Sequence, residues 1–274
     1  MTGNTYAETP DADILSKVPR VTAAFWAVKI LATTLGETGG DALSMTLNLG
    51  YAVSTLIFLA FFLVTLFAQV RSTHYHPVFY WAVVVATTTV GTTTSDYIDR
   101  TLGLGYVASS IILFTLVVAI LIAWHFTTGR IVVDRVINRQ DEIFYWVAIL
   151  VSNTLGTALG DFAATSAGLG FGGGSLVFAG LIAIVAAAHF FTKIPTSILF
   201  WAAYVLTRPL GATLGDTLTK PIAEGGLNLG RFTSSLVIAV LMVILIAVTS
   251  LRKREAGGGR REGGSDVKDS RMPF

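Results

Sequence analysis

Long apolar stretches alternate with short polar segments along almost the whole chain. The clearest apolar stretches are 47–68, 106–123, 176–188 and 236–248. A helix that crosses a bilayer needs about 20 mostly apolar residues. The pattern therefore predicts eight membrane-spanning helices, near residues 21–40, 46–70, 78–96, 104–126, 143–161, 168–191, 197–216 and 229–251.

The predicted fold class is an all-α polytopic membrane protein. Its parts are a cytoplasmic N-terminal segment at 1–20, a membrane domain at 21–251 and a disordered cytoplasmic tail at 252–274. The tail is rich in Gly, Arg and Glu, a composition that cannot bury a core. Its basic residues indicate a topology anchor rather than a nucleic-acid partner.

One sequence unit occurs four times in the membrane domain. Each copy has a tryptophan, a glycine ten residues later and an aspartate fifteen residues later. The spacings between tryptophans are 55, 65 and 55, which suggests a duplication of a duplication. The repeats lie near 21–75, 76–126, 143–192 and 197–251. The signature residues are Trp26, Trp81, Trp146 and Trp201, with Gly36, Gly91, Gly156 and Gly211, and Asp41, Asp96, Asp161 and Asp216.

Because each unit contains two spans, every unit starts on the same side and the four repeats are parallel. The aspartates should then lie at similar depth. We expect the tryptophans at the cytoplasmic interface, where indole rings prefer to sit. Fifteen residues of helix cover about 22 Å, so the aspartates should reach the outer part of the core, which is about 30 Å thick.

The repeated motif resembles a bacterial membrane-protein family of unknown function. That family has four tandem repeats, each of two transmembrane segments with a characteristic tryptophan, and its members are described as uncharacterised membrane-anchored proteins. The resemblance covers about residues 21–251. It implies the architecture and a location in the bacterial cytoplasmic (inner) membrane, but little chemistry.

Composition and charge agree with a membrane location. Hydrophobic residues make up 53% of the chain and charged residues 13%, about half the charged share of a soluble domain. Lys and Arg gather in the N-terminal segment, the loops between repeats and the tail, which predicts cytoplasmic termini by the positive-inside rule. No signal peptide is visible in residues 1–20, so the first span should be retained. The absence of cysteine excludes disulfides and thiolate metal sites.

A polar stripe follows the first helix of each repeat, at positions eight, eleven and fifteen after the tryptophan. These positions lie on one helix face. Carboxylate and hydroxyl oxygens suit a hard cation, and a carboxylate in lipid is a functional candidate by default. In copy four the stripe is Pro209, Ala212 and Asp216. The predicted cation, metal or proton site is Asp41, Glu37, Asp96 and Asp161, with Asp216 and the neutral partners Thr34, Thr89, Thr92, Thr154 and Thr157.

Two basic residues interrupt the symmetry of the repeats. Arg208 lies about 10 Å beyond Trp201 and needs a carboxylate or anion partner. Asp216 is the expected partner, or else a structural group. Lys29 is expected to snorkel to the cytoplasmic interface. The histidines are expected in loops or at cytoplasmic helix ends, not as ligands: His74, His76, His125 and His189.

Structural explanations stand beside the functional ones. The glycines form small-xxx-small pairs that permit close helix packing, and each aspartate could cap the following turn.

The leading functional hypothesis is a secondary transporter or exporter of a cation, either a divalent metal such as Mn²⁺ or Mg²⁺ or a proton-coupled ion. The alternatives are an ion-conducting pore and a membrane scaffold or sensor. No enzyme motif and no phosphate-binding loop is found. We therefore expect no enzyme activity and no cofactor, with the lipid bilayer and a small ion as partners. The oligomeric state is left open.

Overall fold

The computed structural model describes residues 17–129, 131 and 139–262, with side chains described as far as residue 251. Within this part the protein is all-α and has eight long helices. They are α1 Ala23–Asp41, α2 Gly50–Arg71, α3 Pro77–Asp96, α4 Tyr106–Thr128, α5 Arg139–Asp161, α6 Gly170–Phe191, α7 Thr196–Thr219 and α8 Arg231–Glu262.

Six of the eight helices are long and apolar enough to cross a membrane: α2, α4, α5, α6, α7 and α8. The other two, α1 and α3, carry many polar residues. Helix α1 contains Lys29, Glu37 and Asp41, and α3 contains six threonines. The predicted eight helices are thus present, and their character is compatible with a membrane protein. Residues 252–262 of the predicted tail belong to α8, and residues 263–274 lie outside the described part.

The first helices of the four repeats form a closed ring. Helix α1 packs on α3, α3 on α5, α5 on α7, and α7 on α1. The second helix of each repeat lies outside this ring, packed on the first helix of the following repeat: α2 on α3, α4 on α5, α6 on α7 and α8 on α1. The architecture is therefore cyclic, with α1, α3, α5 and α7 as inner helices around a central axis.

Burial separates the two sets of helices. In the most apolar 18-residue stretch of α5, 67% of the residues are buried, and in that of α7, 72% are buried. The corresponding share in the four outer helices is 11–28%. This confirms the prediction that the tryptophan-bearing helices form an inner cluster. The outer helices expose rows of large apolar side chains, such as Leu63, Val64 and Phe67 on α2. Such rows suit contact with lipid.

The signature glycines allow the inner helices to approach closely. A Cβ at Gly36 would overlap the Thr88 side chain, and one at Gly91 would lie 2.9 Å from the backbone of Asn153. The same contact recurs between Gly156 and Arg208 and between Gly211 and Thr33. In every case the neighbour lies seven residues after the tryptophan of the next copy, so the four contacts are equivalent by the repeat. The predicted close approach is confirmed.

The aspartates of the first three copies lie where the helix changes its hydrogen-bonding pattern. After Asp41, Asp96 and Asp161 the chain continues as five-residue π-helical segments, Ala42–Thr46, Tyr97–Thr101 and Phe162–Ser166. None of these three side chains makes a capping hydrogen bond. The structure thus does not support the capping explanation for them. π-helical turns are frequent at functional sites.

Candidate functional site

The four aspartates meet at one end of the inner ring, which we call the Asp end, and two basic residues join them in pairs. Arg100 contacts Asp96 at 3.0 Å and Asp161 at 3.1 Å. Lys220 contacts Asp216 at 3.2 Å and Asp41 at 3.1 Å. Each base therefore bridges the aspartate of its own repeat and that of the next one. Since all four carboxylates are buried, such pairing is what their location requires.

The two bridges are related by the repeat. Both Arg100 and Lys220 lie nineteen residues after the tryptophan of their copy, where copies one and three have Met45 and Thr165. Repeats one and three thus provide only acids here, and repeats two and four provide acid and base. This alternation agrees with a duplication of a duplication. Arg231 at the start of α8 adds a further basic contact to Asp41, at 3.5 Å.

The Arg208 guanidinium lies on the axis, one helical turn below the aspartates. It is fully buried and forms an ion pair with Glu37 at 3.1 Å. It also donates hydrogen bonds to Thr92 at 2.5 Å and Thr157 at 2.6 Å. These three acceptors lie eleven residues after the tryptophans of copies one, two and three. Arg208 of copy four therefore contacts the residue at this stripe position in each of the other three copies.

Three carboxylates lie close enough to share one ion. Oxygens of Glu37, Asp41 and Asp96 lie within 4.8 Å of one another, and all three residues are buried. Among the described residues, Asp41 Oδ1 has no hydrogen-bond partner. Thr92 lies in the same cluster, since its hydroxyl also approaches Glu37 Oε2 at 3.4 Å. This is an oxygen donor set of the kind that hard cations prefer.

A cavity of about 450 Å³ opens at the Asp end. All four positions nineteen residues after the tryptophans line it, together with Asp161 and the basic Arg231. The tyrosines that begin α2 and α4 border the ion pairs, because Arg100 donates hydrogen bonds to the hydroxyls of Tyr51 at 3.2 Å and Tyr106 at 3.0 Å. Of the clustered carboxylates, Asp161 therefore lies at the wall of this cavity, next to the bases Arg100 and Lys220.

The opposite end of the inner ring, which we call the Trp end, is closed by aromatic rings. The residue before each tryptophan packs on the tryptophan of the next copy, with ring centroids 5.6–6.0 Å apart. The four pairs are Phe25–Trp81, Tyr80–Trp146, Tyr145–Trp201 and Phe200–Trp26. The Tyr80 and Tyr145 hydroxyls share a hydrogen bond of 2.7 Å. These eight side chains form a closed circle around the axis at the Trp end, which we call the aromatic ring.

The structure brings together most of the predicted site residues. Glu37, the four aspartates, Thr92 and Thr157 all belong to the network just described. The remaining hydroxyls, eight residues after the tryptophans, are buried but donate to carbonyls of their own helices: Thr34 to Ile30, Thr89 to Val85 and Thr154 to Leu150. His74 and His76 lie in the loop between α2 and α3, and His125 and His189 lie near the ends of α4 and α6, as predicted.

Two expectations about individual side chains were wrong. Arg208 pairs with Glu37 and not with Asp216, because its side chain extends across the axis while Lys220, four residues after Asp216, satisfies that carboxylate. Lys29 does not snorkel; it is fully buried, with Nζ 4.2 Å from the centroid of the Tyr204 ring. Trp81, Trp146 and Trp201 are buried within the protein and Trp26 is partly exposed, and their depth at the cytoplasmic interface stays a prediction.

The sequence reasoning missed the bases of the site. Arg100, Lys220 and Arg231 were not among the predicted site residues. A signal for the first two was present, because each follows an aspartate by four residues and both occupy the same repeat position. Residues four apart on a helix are neighbours, so an Asp–Arg or Asp–Lys pair is expected at this spacing.

Fold and site together describe an all-helical, internally repeated protein with a buried ion-pair network, of a character compatible with membranes. The chain belongs to the family described as Repeat of Unknown Function (DUF347). The family model matches four consecutive segments, 24–75, 79–130, 144–194 and 199–255. These matches confirm the four repeats inferred from the tryptophan spacing. No curated protein and no solved structure matches the chain.

Proposed function

We propose that the protein is a secondary transporter of a small cation, with a divalent metal ion such as Mn²⁺ as the best-suited substrate. The observation that carries this proposal is the buried cluster of Glu37, Asp41 and Asp96, whose oxygens lie within 4.8 Å of one another. Three carboxylates at this distance repel one another unless basic side chains, a bound cation or protons neutralise them.

The charge balance of the whole ion-pair network at the Asp end supports coupling to protons. Five carboxylates, Glu37 and the four aspartates, are matched by four basic groups: Arg100, Arg208, Lys220 and Arg231. One negative charge is left over, which one proton or a cation can neutralise. Because a carboxylate must be deprotonated to bind a metal, the proton and the metal compete for the same oxygens.

The two ends of the axis favour a transporter over an open pore. The cavity at the Asp end is lined by Asp161, while Arg208 and the aromatic ring occupy the axis beyond the carboxylates. An ion that enters from the Asp end would meet Asp161 first and would have to pass Arg100 or Lys220 to reach Asp41 and Asp96. It could pass further only if Arg208 left Glu37 and the aromatic ring opened. Such a gated path is typical of alternating access around a central site.

Metal flux in proteoliposomes tests the proposal. We expect saturable uptake of radioactive Mn²⁺ that weakens as the pH falls, and its loss in Asp41→Asn, which removes charge at nearly constant shape. Asp99→Asn is the matched control, because Asp99 lies at the same end but contacts Ser95 rather than the carboxylate cluster. Full, pH-independent uptake in Asp41→Asn would contradict the proposed site. Uptake that never saturates would indicate a pore.

Folding must be measured beside flux to test the scaffold alternative. If Asp41→Asn and Asp216→Asn both fail to fold, with no flux defect separable from that failure, the carboxylates are structural. A monodisperse, folded Asp41→Asn that carries no Mn²⁺ supports the transporter.

The proposal places eight spans in the bacterial cytoplasmic membrane, with both termini and the Trp end on the cytoplasmic side. The chain has no cysteine, so single cysteines report on topology directly. Ser72 follows α2, and Thr101 ends the π-helical segment at the Asp end. Cysteines at these two positions should react with an impermeant thiol reagent from opposite sides, Thr101→Cys from outside. Labelling of both from outside would contradict this orientation.

A further inference from the structure

Four buried polar atoms on the stretch of the axis from Trp201 to Arg208 have no hydrogen-bond partner among the described residues. They are Lys29 Nζ, Trp201 Nε1, the Tyr204 hydroxyl and Arg208 Nε. Lys29, Tyr204 and Arg208 are completely buried. Buried polar groups in folded proteins are nearly always hydrogen-bonded. A cluster of unpaired ones therefore indicates a bound ligand or bound water.

The four groups occupy one short stretch of the axis. Trp201, Tyr204 and Arg208 follow each other at i, i+3 and i+7, which places them on one face of α7. Lys29 reaches them from α1, with Nζ 4.2 Å from the Tyr204 ring centroid. The Tyr204 ring is in turn 5.6 Å from that of Trp201.

The chemistry of this group is that of hydrogen-bond donors. A charged ammonium, an indole N–H and a guanidinium can only donate hydrogen bonds. The phenol hydroxyl can donate one as well. The Arg208 charge is balanced by Glu37 toward the Asp end. For Lys29, no carboxylate of the described residues lies within ion-pair distance; its charge is met only by the face of Tyr204. A buried ammonium needs a stronger counter-charge than an aromatic ring provides.

We propose that Lys29 Nζ and the Tyr204 hydroxyl bind a small monovalent inorganic anion of the halide class, with Trp201 Nε1 as a further donor. The anion neutralises Lys29 and supplies the missing acceptor. A metal cation does not fit, because the groups around Lys29 donate rather than accept. This site is separate from the carboxylate cluster and does not depend on the proposed cation transport.

Equilibrium binding of radioactive chloride to the purified full-length chain in detergent tests this site, with gluconate keeping the ionic strength constant. We expect saturable binding of one chloride per chain. Lys29→Met should weaken it at least about tenfold, as expected for loss of a charged donor. Lys193→Met is the control, because Lys193 is an exposed lysine of the α6–α7 loop, and it should bind as the wild type does.

Tyr204→Phe keeps Lys29 in place and removes only the hydroxyl. It therefore tests the anion site if Lys29→Met does not fold. We expect it to weaken chloride binding about fivefold. Absence of saturable binding in the wild type would overturn the proposal and leave water as the occupant. Binding unchanged in Lys29→Met or Tyr204→Phe would also overturn it and would place the anion at exposed bases. Neither readout depends on cation flux.

Discussion

The Trp end and the Asp end of the inner ring are built from the same repeat but have diverged to different degrees. At the Trp end all four copies contribute an aromatic residue followed by a tryptophan, and the first ring of each pair packs on the tryptophan of the next copy. At the Asp end all four copies keep the aspartate, but only copies two and four add a base, Arg100 or Lys220. The positions of the Trp end have kept their aromatic character in all four copies, with Phe and Tyr exchanged, while the charged positions of the Asp end have differentiated.

The centre of the axis shows the same contrast at a single repeat position. Seven residues after the tryptophan lie Thr33, Thr88, Asn153 and Arg208, and each covers the signature glycine of the preceding copy. Only Arg208 continues past that contact to the axis and to Glu37. One position thus serves packing in four copies and electrostatics in one of them.

Removing the charge at the centre should have the largest effect on stability. Arg208→Met leaves Glu37 as an unpaired buried carboxylate, which should lower the free energy of unfolding by about 3–5 kcal/mol. The double variant Arg208→Met/Glu37→Gln should recover a large part of that loss. Denaturant unfolding in detergent measures both. If the stability losses of Arg208→Met and Glu37→Gln simply add in the double variant, the two side chains are not coupled. For the control pair Arg208→Met and Asp216→Asn we expect the losses to add.

Changing a glycine contact between two inner helices, which recurs in all four repeats, should have a smaller effect on stability. A methyl group at Gly36 would overlap Thr88, whereas one at Gly39 on the same helix would lie 4.0 Å from Ser235 Oγ. Gly36→Ala should therefore destabilise the protein by about 1–3 kcal/mol through overpacking. Gly39→Ala should be neutral or slightly stabilising, since alanine is the better helix former. Equal thermal stability of the two variants would contradict the close packing of α1 and α3.

The smallest effect should come from the aromatic ring. Trp146 is 3% exposed, while Trp26 is partly exposed, although both occupy the same repeat position. Trp146→Phe should lower stability by about 1–2 kcal/mol through the cavity that it leaves, and Trp26→Phe should cost clearly less. Thermal unfolding of the two variants measures the difference. A larger loss in Trp26→Phe would mean that the ring does not close as described.

The repeat made much of this architecture predictable. Eight helices, the inner set, the glycine contacts and the meeting of the aspartates all follow from one motif at fixed spacing, because equivalent positions of parallel repeats must face a common axis. Six of the eight helices qualify as spans by composition, and α1 and α3 do not. That α1 and α3 also cross the membrane stays a prediction from the repeat.

The pairing of charges was less predictable. Asp216 and Glu37 were both within possible reach of Arg208, and only the cyclic packing of α7 on α1 places Glu37 nearer. Lys29 looked like a snorkelling residue because it follows Trp26 by one turn, but that turn points to the axis and not to the membrane surface. The sequence determined which charges are buried, and the packing of neighbouring repeats determined their partners.

Binding of Mn²⁺ to the purified protein, followed by electron paramagnetic resonance, tests the central claim most directly. The account predicts one bound Mn²⁺ per wild-type chain, weaker affinity at lower pH because protons compete for the carboxylates, and no binding in Asp41→Asn. Asp99→Asn should bind as the wild type does. Binding of Mn²⁺ with unchanged affinity in Asp41→Asn, or no binding in the wild type at any pH at which it is folded, would contradict the proposed cation site.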